Sequence, residues 1–247
     1  MVASTKSYDA TIRLGAATTT DDAEGEYSWG ASAAGVDRPA IDAEITKLTG
    51  DIMQKPAAVS AIKINGRRAH ELVREGHEVD IPARPVTVDT FDVLAQRREG
   101  DYIDLDVTVD CSSGTYIRSL ARDLGEALQV GGHLTALRRT KVGPFTLADA
   151  LSLDDLADSP RLSLSLDEAL ARCFPVLSVT EDEAAALAMG KWLEPRGLKG
   201  VHAAVAPNGQ AVALIKEKGK RLATVFVARP STPVSYTHLR AHETRHD

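Results

Sequence analysis

Residues 111–125 read Cys-Ser-Ser-Gly-Thr-Tyr-Ile-Arg-Ser-Leu-Ala-Arg-Asp-Leu-Gly. Alternating polar and apolar residues lead into this segment and predict a strand, its small residues predict a turn, and the apolar spacing after the turn predicts a helix. Thr115 is the residue expected to cap that helix. A strand–turn–helix unit of this kind projects Tyr116 and Arg118 from the end of a sheet into a cleft.

The flanking sequence supplies the rest of a sheet. Residues 86–94 and 102–110 alternate between polar and apolar side chains and flank a turn around Glu99-Gly100-Asp101, which predicts a β-hairpin. Gly131-Gly132 ends the helix that follows. Further predicted elements are a strand at 6–14, a helix carrying Ile41, Ile45 and Leu48, a short strand at 59–64 and a helix at 67–75.

The composition changes after Phe145. Residues 147–173 are rich in Leu, Asp, Ser and Ala and predict a helical connection, and residues 174–230 predict a second, small unit. Its predicted elements are a helix at 181–189 and strands at 201–206, 210–216 and 221–228. We therefore predict an α+β protein with a mixed or antiparallel sheet and flanking helices over residues 1–146, followed by a small β-barrel-like domain.

Composition excludes several classes of protein. No apolar run reaches the roughly 18 residues of a membrane span, and the N-terminus has no apolar signal-peptide core. We expect no membrane contact and a cytoplasmic location. Cys111 and Cys173 make neither a disulfide framework nor a zinc site, so we expect two small buried side chains.

Charge is unevenly distributed along the chain. The net charge is −6, but residues 190–230 hold eight basic side chains against two acidic ones, which makes that segment +6 and the remainder −12. A basic block on an acidic body is typical of contact with a polyanion such as nucleic acid. A solvated, lysine-rich hairpin is the alternative.

The last residues, 231–247, do not match the rest of the chain. His238, His242 and His246 have the spacing of metal ligands on one helix face. We expect no metal site there, because chain ends are usually unordered. We interpret this segment as a non-native tail and leave it out of the fold.

Four segments carry side chains suited to chemistry or to RNA contact. They are the strand with Tyr8, the cationic segment with Lys63, Arg67 and Arg68, the turn with Tyr116 and Arg118, and the run with His133, Leu137, Arg138 and Arg139. Each also has a structural interpretation. Tyr8 could be an edge tyrosine, the cations a solvated face, Arg118 the partner of Asp110 or Asp123, and His133 a structural histidine.

In order and spacing, these segments resemble the TruB family, the bacterial tRNA pseudouridine-55 synthases, over residues 4–145. Residues 174–229 resemble, more weakly, the PUA-like RNA-binding domain of that family. The matching segments are Lys6-Ser7-Tyr8, Arg13-Leu14-Gly15, Thr18 to Gly25, Pro56 to Gly66, Ala83 to Val88, Cys111 to Gly125, Gly132-His133 and Leu137-Arg138-Arg139.

The resemblance implies that a uridine in the T-loop of tRNA is flipped out and isomerised to pseudouridine by an aspartate nucleophile. It implies no metal or organic cofactor, and a monomer with tRNA as partner. Tyr8 matches the tyrosine that stacks on the base and takes the C5 proton, and Arg118 matches the arginine that orients the nucleophile. Tyr116 and Leu137 match pocket positions; Lys63, Arg67, Arg68, Arg138 and Arg139 match RNA-contacting positions.

One part of the family pattern is absent. The family's nucleophile lies in a Gly-x-Leu-Asp-Pro segment upstream of the strand with Tyr8, and no such segment occurs in the 247 residues. We therefore expect a fragment of a longer enzyme and no isomerase activity from this chain. The alternative is a protein that binds structured RNA without chemistry, using its basic C-terminal module.

Overall fold

Two compact units make up the protein, Met1–Ala148 and Asp149–Asp247. The computed structural model describes residues 4–57, 63–64, 67–68, 75 and 81–231. Each unit encloses its own cluster of buried apolar side chains. The two are therefore described one at a time.

The first unit contains ten strands and two α-helices among its described residues. The helices are α1 (Arg38–Lys47) and α2 (Ile117–Ala127). The strands are β1 (Lys6–Leu14), β2 (Ala17–Thr18), β3 (Tyr27–Trp29), β4 (Gly50–Gln54), β5 (Lys63–Ile64), β6 (Arg67–Arg68), β7 (Arg84–Glu99), β8 (Tyr102–Cys111), β9 (Gly132–Val142) and β10 (Phe145–Thr146).

Six of these strands form one sheet in the order β10-β9-β1-β8-β7-β4, and every neighbouring pair is antiparallel. The predicted strand at 6–14 and the predicted hairpin are confirmed. Alternation decides which side chains face the core: Ala10, Ile12 and Leu14 of β1 are buried. The opposite face is polar, and there Arg13 donates to both carboxylate oxygens of Asp104 at 2.8 Å.

Helix α2 covers the apolar face of the sheet. Leu120 and Leu124 are fully buried in the core cluster. At its C-terminal end the helix approaches β9 closely, because two glycines meet there. A Cβ added to Gly125 would lie 2.1 Å from the backbone nitrogen of Gly132. This contact sets the helix against the strand and so determines where the first turn of α2 lies.

The predicted helix at 67–75 is wrong at its first two residues. Arg67–Arg68 form β6, which pairs antiparallel with β5, so that Lys63 faces Arg68 and Ile64 faces Arg67. An intervening Asn-Gly dipeptide favours a two-residue hairpin, and pairing across it outweighs the helix propensity of arginine. Residues 59–62 of the predicted strand and 69–74 of the predicted helix lie outside the described residues.

The second unit is a small mixed sheet with short helices. The helices are α3 (Leu153–Asp158), α4 (Leu166–Cys173) and α5 (Glu181–Ala188). A 3₁₀ turn at Leu147–Asp149 includes the last two residues of the first unit and the first residue of the second. The strands are β11 (Val176–Ser178), β12 (Val201–Val205), β13 (Ala211–Lys218) and β14 (Arg221–Val227), in the order β11-β12-β13-β14. Only β11 and β12 are parallel among these described pairs. The three predicted strands are confirmed with small shifts at their ends.

Candidate active site

The first turn of α2 is held by a side chain from another strand. Nε2 of Gln54 donates to the carbonyl oxygen of Tyr116 at 3.0 Å, and the amide nitrogen of Tyr116 donates to Oε1 of Gln54 at 2.8 Å. Gln54 is 1% exposed. The predicted cap is therefore wrong: the hydroxyl of Thr115 donates to the carbonyl of Ser112. The buried amide of Gln54 satisfies the backbone of Tyr116 instead.

Arg118 pairs with an acid that the sequence analysis did not single out. Its Nη1 lies 2.9 Å from Oδ2 of Asp22 and 3.3 Å from the carbonyl oxygen of Thr20. The two acids named as partners in the structural alternative, Asp110 and Asp123, accept hydrogen bonds from other residues. Asp110 accepts from the hydroxyls of Ser7 and Thr90, and Asp123 accepts from Arg122. Thr20 and Asp22 lie between β2 and β3, a connection that folds back over the start of α2.

The residues between β2 and β3, here called the 19–26 loop, hold Asp22 in one orientation. Oδ1 of Asp22 accepts from the hydroxyl of Thr20 at 2.5 Å and from the amide of Glu24 at 3.1 Å. Partial burial would raise the pKa of this carboxyl, but the bonds from Thr20, Glu24 and Arg118 outweigh it and lower the pKa below its ordinary value. Asp22 is therefore an ionised, oriented partner for Arg118.

Arg118 and Leu137 line the same cavity. It has a volume of about 400 Å³, and its other lining residues are Asp22, Ala23, Glu24 and residues 134–136 of β9. Leu137 is half exposed in it. The cavity therefore combines a fixed guanidinium with an apolar wall, which suits a planar base next to an anionic group.

Strand register places Tyr8 beside Arg139 and separates Arg138 from both. Tyr8 pairs with Arg139, Asp9 with Arg138, and Ala10 with Leu137. Directly opposed residues in an antiparallel pair point to the same face. Tyr8, Leu137 and Arg139 thus share the face that α2 covers, while Arg138 lies on the polar face. Burial raises the pKa of the Tyr8 hydroxyl, and a hydrogen bond from Arg139 acts against that rise.

This arrangement predicts a difference between two adjacent arginines. We expect Arg139→Gln to raise the pKa of Tyr8 further, because the phenolate loses its charged donor. Arg138→Gln, on the other face, should leave that pKa unchanged. Absorbance at 295 nm against pH, with Tyr8→Phe subtracted to isolate Tyr8, measures it. Equal shifts in the two variants would contradict the pairing of Arg139 with Tyr8.

Four further residues singled out in the sequence lie on β5, β6 and β9. Lys63, Arg67 and Arg68 lie on the β5–β6 hairpin, of which the structure describes the backbone. His133 is structural as expected, since it is buried with Nδ1 2.7 Å from the carbonyl oxygen of Ala16.

The described part of the chain contains no group of three or more metal-ligating side chains. Within the same residues, no helix has the length and apolar character to cross a membrane.

Comparison with known proteins gives the family. Residues 1–117 match the TruB family pseudouridylate synthase N-terminal domain, 118–175 the tRNA pseudouridylate synthase B C-terminal domain, and 174–229 the C-terminal domain of tRNA pseudouridine synthase II. The chain is 76% identical over 232 residues to tRNA pseudouridine synthase B of Corynebacterium aurimucosum, covering 94% of this chain and 78% of that protein. The chain belongs to the TruB family. The resemblance drawn from its motifs is confirmed.

Other TruB relatives and solved structures agree. The protein of the same name from Corynebacterium efficiens is 72% identical, and that from Mycobacterium ulcerans 54%; they cover 94% of this chain and 78% and 77% of those proteins. The fold is similar to a chain in the crystal structure of a Cbf5-Nop10-Gar1 complex, with a TM-score of 0.65, 25% identity, and coverage of 93% of this chain and 68% of that one. The family is one of isomerases, so an RNA-binding protein without chemistry is not favoured.

Proposed function

We propose that this protein is a tRNA pseudouridine synthase that isomerises the uridine at position 55 in the T-loop of tRNA. The observation that carries the proposal is the guanidinium of Arg118, fixed by Asp22 at 2.9 Å at the edge of a cavity that Leu137 also lines. The high identity to proteins named tRNA pseudouridine synthase B supports tRNA as the substrate.

The proposed reaction moves the glycosidic bond from N1 to C5 of the uracil ring. The target base is flipped out of its stack, because its reacting atoms are otherwise inaccessible. A carboxylate attacks C1′ as nucleophile and bonds to it while the N1–C1′ bond breaks. The ring turns, C5 attacks C1′, and the bond between C1′ and the carboxylate breaks, which frees the carboxylate. N1 gains a proton and C5 loses one. Atoms balance without an oxidant or a reductant, and we propose no cofactor.

Four residues of the cavity and of the elements around it have proposed roles. Tyr8 stacks on the flipped base and takes the C5 proton, since a phenol combines a stacking face with a polar tip. Arg118 keeps the nucleophilic carboxylate ionised and oriented, because an adjacent guanidinium favours the charged form. Leu137 lines the pocket for the base, as does Tyr116, whose backbone Gln54 holds.

Basic residues outside the cavity are proposed to bind the tRNA backbone. Lys63, Arg67 and Arg68 on the β5–β6 hairpin and Arg138 on the polar face of the sheet are the candidates in the first unit, and the basic block at 190–230 is the candidate in the second. Arg139 has a partner in Tyr8, so its proposed role includes holding that phenol. We also propose a monomer that acts in the cytoplasm.

The nucleophile is proposed to come from a Gly-x-Leu-Asp-Pro segment, which the 247 residues do not contain. Among the described residues, Asp22 is the carboxylate that forms an ion pair with Arg118, but it already accepts bonds from Thr20, Glu24 and Arg118. Those bonds suit an orienting acid and compete with nucleophilic attack. We therefore propose that the 247-residue chain alone forms no pseudouridine.

A fusion protein tests both parts of this proposal. A Gly-x-Leu-Asp-Pro segment of the kind that the resemblance to the TruB family implies is joined ahead of residue 1, and unmodified tRNA is assayed for pseudouridine at position 55. We expect pseudouridine from the fusion, and none from the chain alone or from a fusion with that Asp replaced by Asn. Activity of the chain alone would refute the missing nucleophile. A folded, tRNA-binding but inactive fusion would refute the proposed reaction.

A further inference from the structure

We propose that Arg122 is a positioning residue for pseudouridine formation: it holds the 19–26 loop so that Asp22 keeps Arg118 in place. This inference rests on the proposed function, in which Arg118 orients the nucleophile. Arg122 does not line the cavity, and its effect is exerted through Asp21, the neighbour of Asp22.

Two parallel ion pairs join α2 to the loop. Arg118 and Arg122 are four residues apart, so they lie on the same face of the helix. Asp21 and Asp22 are adjacent in the loop. Nη1 of Arg118 is 2.9 Å from Oδ2 of Asp22, and Nη1 of Arg122 is 3.2 Å from Oδ2 of Asp21. Moving one acid therefore moves the other.

Arg122 is itself firmly anchored. Its Nε and Nη2 donate to Oδ1 of Asp123 at 2.9 and 2.7 Å, and Nη2 also donates to the carbonyl oxygen of Lys55 at 2.7 Å. Its side chain is 16% exposed. Lys55 directly follows Gln54, which holds the backbone of Tyr116. The guanidinium of Arg122 thus forms hydrogen bonds to the 19–26 loop, to the residue after β4 and to the helix that carries Arg118.

The ion pair with Arg122 stabilises Asp21 in its observed conformation. Its φ of +60° lies in the left-handed region, which non-glycine residues adopt at a cost and keep only where the surroundings hold them. Its carboxylate is mostly buried, and a buried carboxylate without a counterion is strongly disfavoured. Without Arg122, Asp21 would turn towards water and carry Asp22 away from Arg118.

The loop has a second attachment that should preserve the fold. The amide of Leu134 in β9 donates to the carbonyl oxygen of Asp21 at 3.0 Å. This backbone bond does not depend on Arg122. We therefore expect loss of Arg122 to misalign side chains of the loop while the sheet and α2 remain folded.

The kinetic test uses the fusion protein described above. Arg122→Gln should lower the single-turnover rate of pseudouridine formation about 10²-fold, the size expected when a remote change misplaces a reacting group by about 1 Å. Its Kd for tRNA should stay unchanged. Arg122→Lys should recover part of the rate, and Asp21→Asn combined with Arg122→Gln should be no slower than Arg122→Gln alone. Asn suits the left-handed backbone at position 21.

Arg13→Gln is the matched control, because it removes another arginine of the first unit that is ion-paired with an aspartate, in this case Asp104 on the polar face of the sheet. A rate loss in Arg122→Gln no larger than in Arg13→Gln would overturn the proposal.

The NMR signal of the Arg118 Nε–H group, observed in the 247-residue chain, gives a readout that needs no activity. It should shift in Arg122→Gln and stay unchanged in Arg13→Gln. An inactive parent fusion would refute the proposed function, while the NMR result would still decide whether Arg122 holds Arg118.

Discussion

Replacing Arg118 by lysine in the fusion protein should lower the rate of pseudouridine formation by about 10³-fold, the upper range for removing one preorganised donor from an active site. The affinity for tRNA should change little, because the cavity supplies only a small part of the contact with a large polyanion. The single-turnover rate and the Kd for tRNA, measured on the same preparation, separate these two effects.

The geometry of arginine is the reason for expecting so large an effect from a conservative change. A guanidinium presents several donors in one plane and can bind Asp22 while it faces a second carboxylate, whereas an ammonium is a compact charge on a flexible stem. Lysine would keep the positive charge near Asp22 without orienting the nucleophile. A positive charge at position 118 is therefore not sufficient to orient the nucleophile.

Arg97→Gln is a suitable control for Arg118→Lys. Arg97 forms an ion pair with Asp106 on the polar face of the sheet and does not line the cavity. We expect its rate to equal that of the parent fusion. If the Arg118→Lys variant of the fusion keeps more than a tenth of the parent rate, the proposed orienting role of Arg118 is contradicted.

The Gly125→Ala substitution should lower the free energy of unfolding of the first unit by about 3 kcal/mol, the upper range for overpacking a well-packed core. The added methyl group would lie 2.1 Å from the backbone nitrogen and 2.5 Å from the Cα of Gly132. Backbone atoms of a strand that is hydrogen-bonded to β1 cannot rotate away as a side chain can. Helix α2 must then move outward and uncover part of the face that holds Leu120 and Leu124.

Urea unfolding followed by far-UV circular dichroism measures this loss, with Gly35→Ala as the matched control. A Cβ at Gly35 meets no atom within 4 Å, and its φ is not in the left-handed region. Gly35→Ala should therefore change the unfolding free energy by less than about 1 kcal/mol. Equal stability of the two variants would show that α2 and β9 do not meet as closely as described.

Local patterns in the sequence predicted three of the six strands of the main sheet and missed β4, β9 and β10. The alternation in β1, β7 and β8 and the apolar spacing in α2 are signals carried by neighbouring residues, and backbone geometry converts them directly into strands and a helix. The same reasoning failed at Arg67–Arg68, where pairing across a turn outweighed the propensity of the two residues themselves. Local signals thus predict elements best where no competing pairing exists.

The candidate site was only partly predictable, because local signals do not show which distant segments of the chain come together. Resemblance to the TruB family singled out Arg118 and Leu137, and the structure brings both into one cavity. Two residues that hold the start of α2 and Arg118 in place were missed. Gln54 and Asp22 reach α2 from segments 62 and 96 residues away along the chain, and no local spacing marks either of them.

By itself, the sequence determined the α+β class, the order of the main elements and the family, because these depend on periodicity and on motifs that are contiguous in the chain. Only the tertiary structure decided which acid Arg118 meets, which face Arg138 occupies, and how Arg122 ties the 19–26 loop to α2. Those outcomes depend on strand register and on the close contact of Gly125 with Gly132, which join residues far apart in sequence.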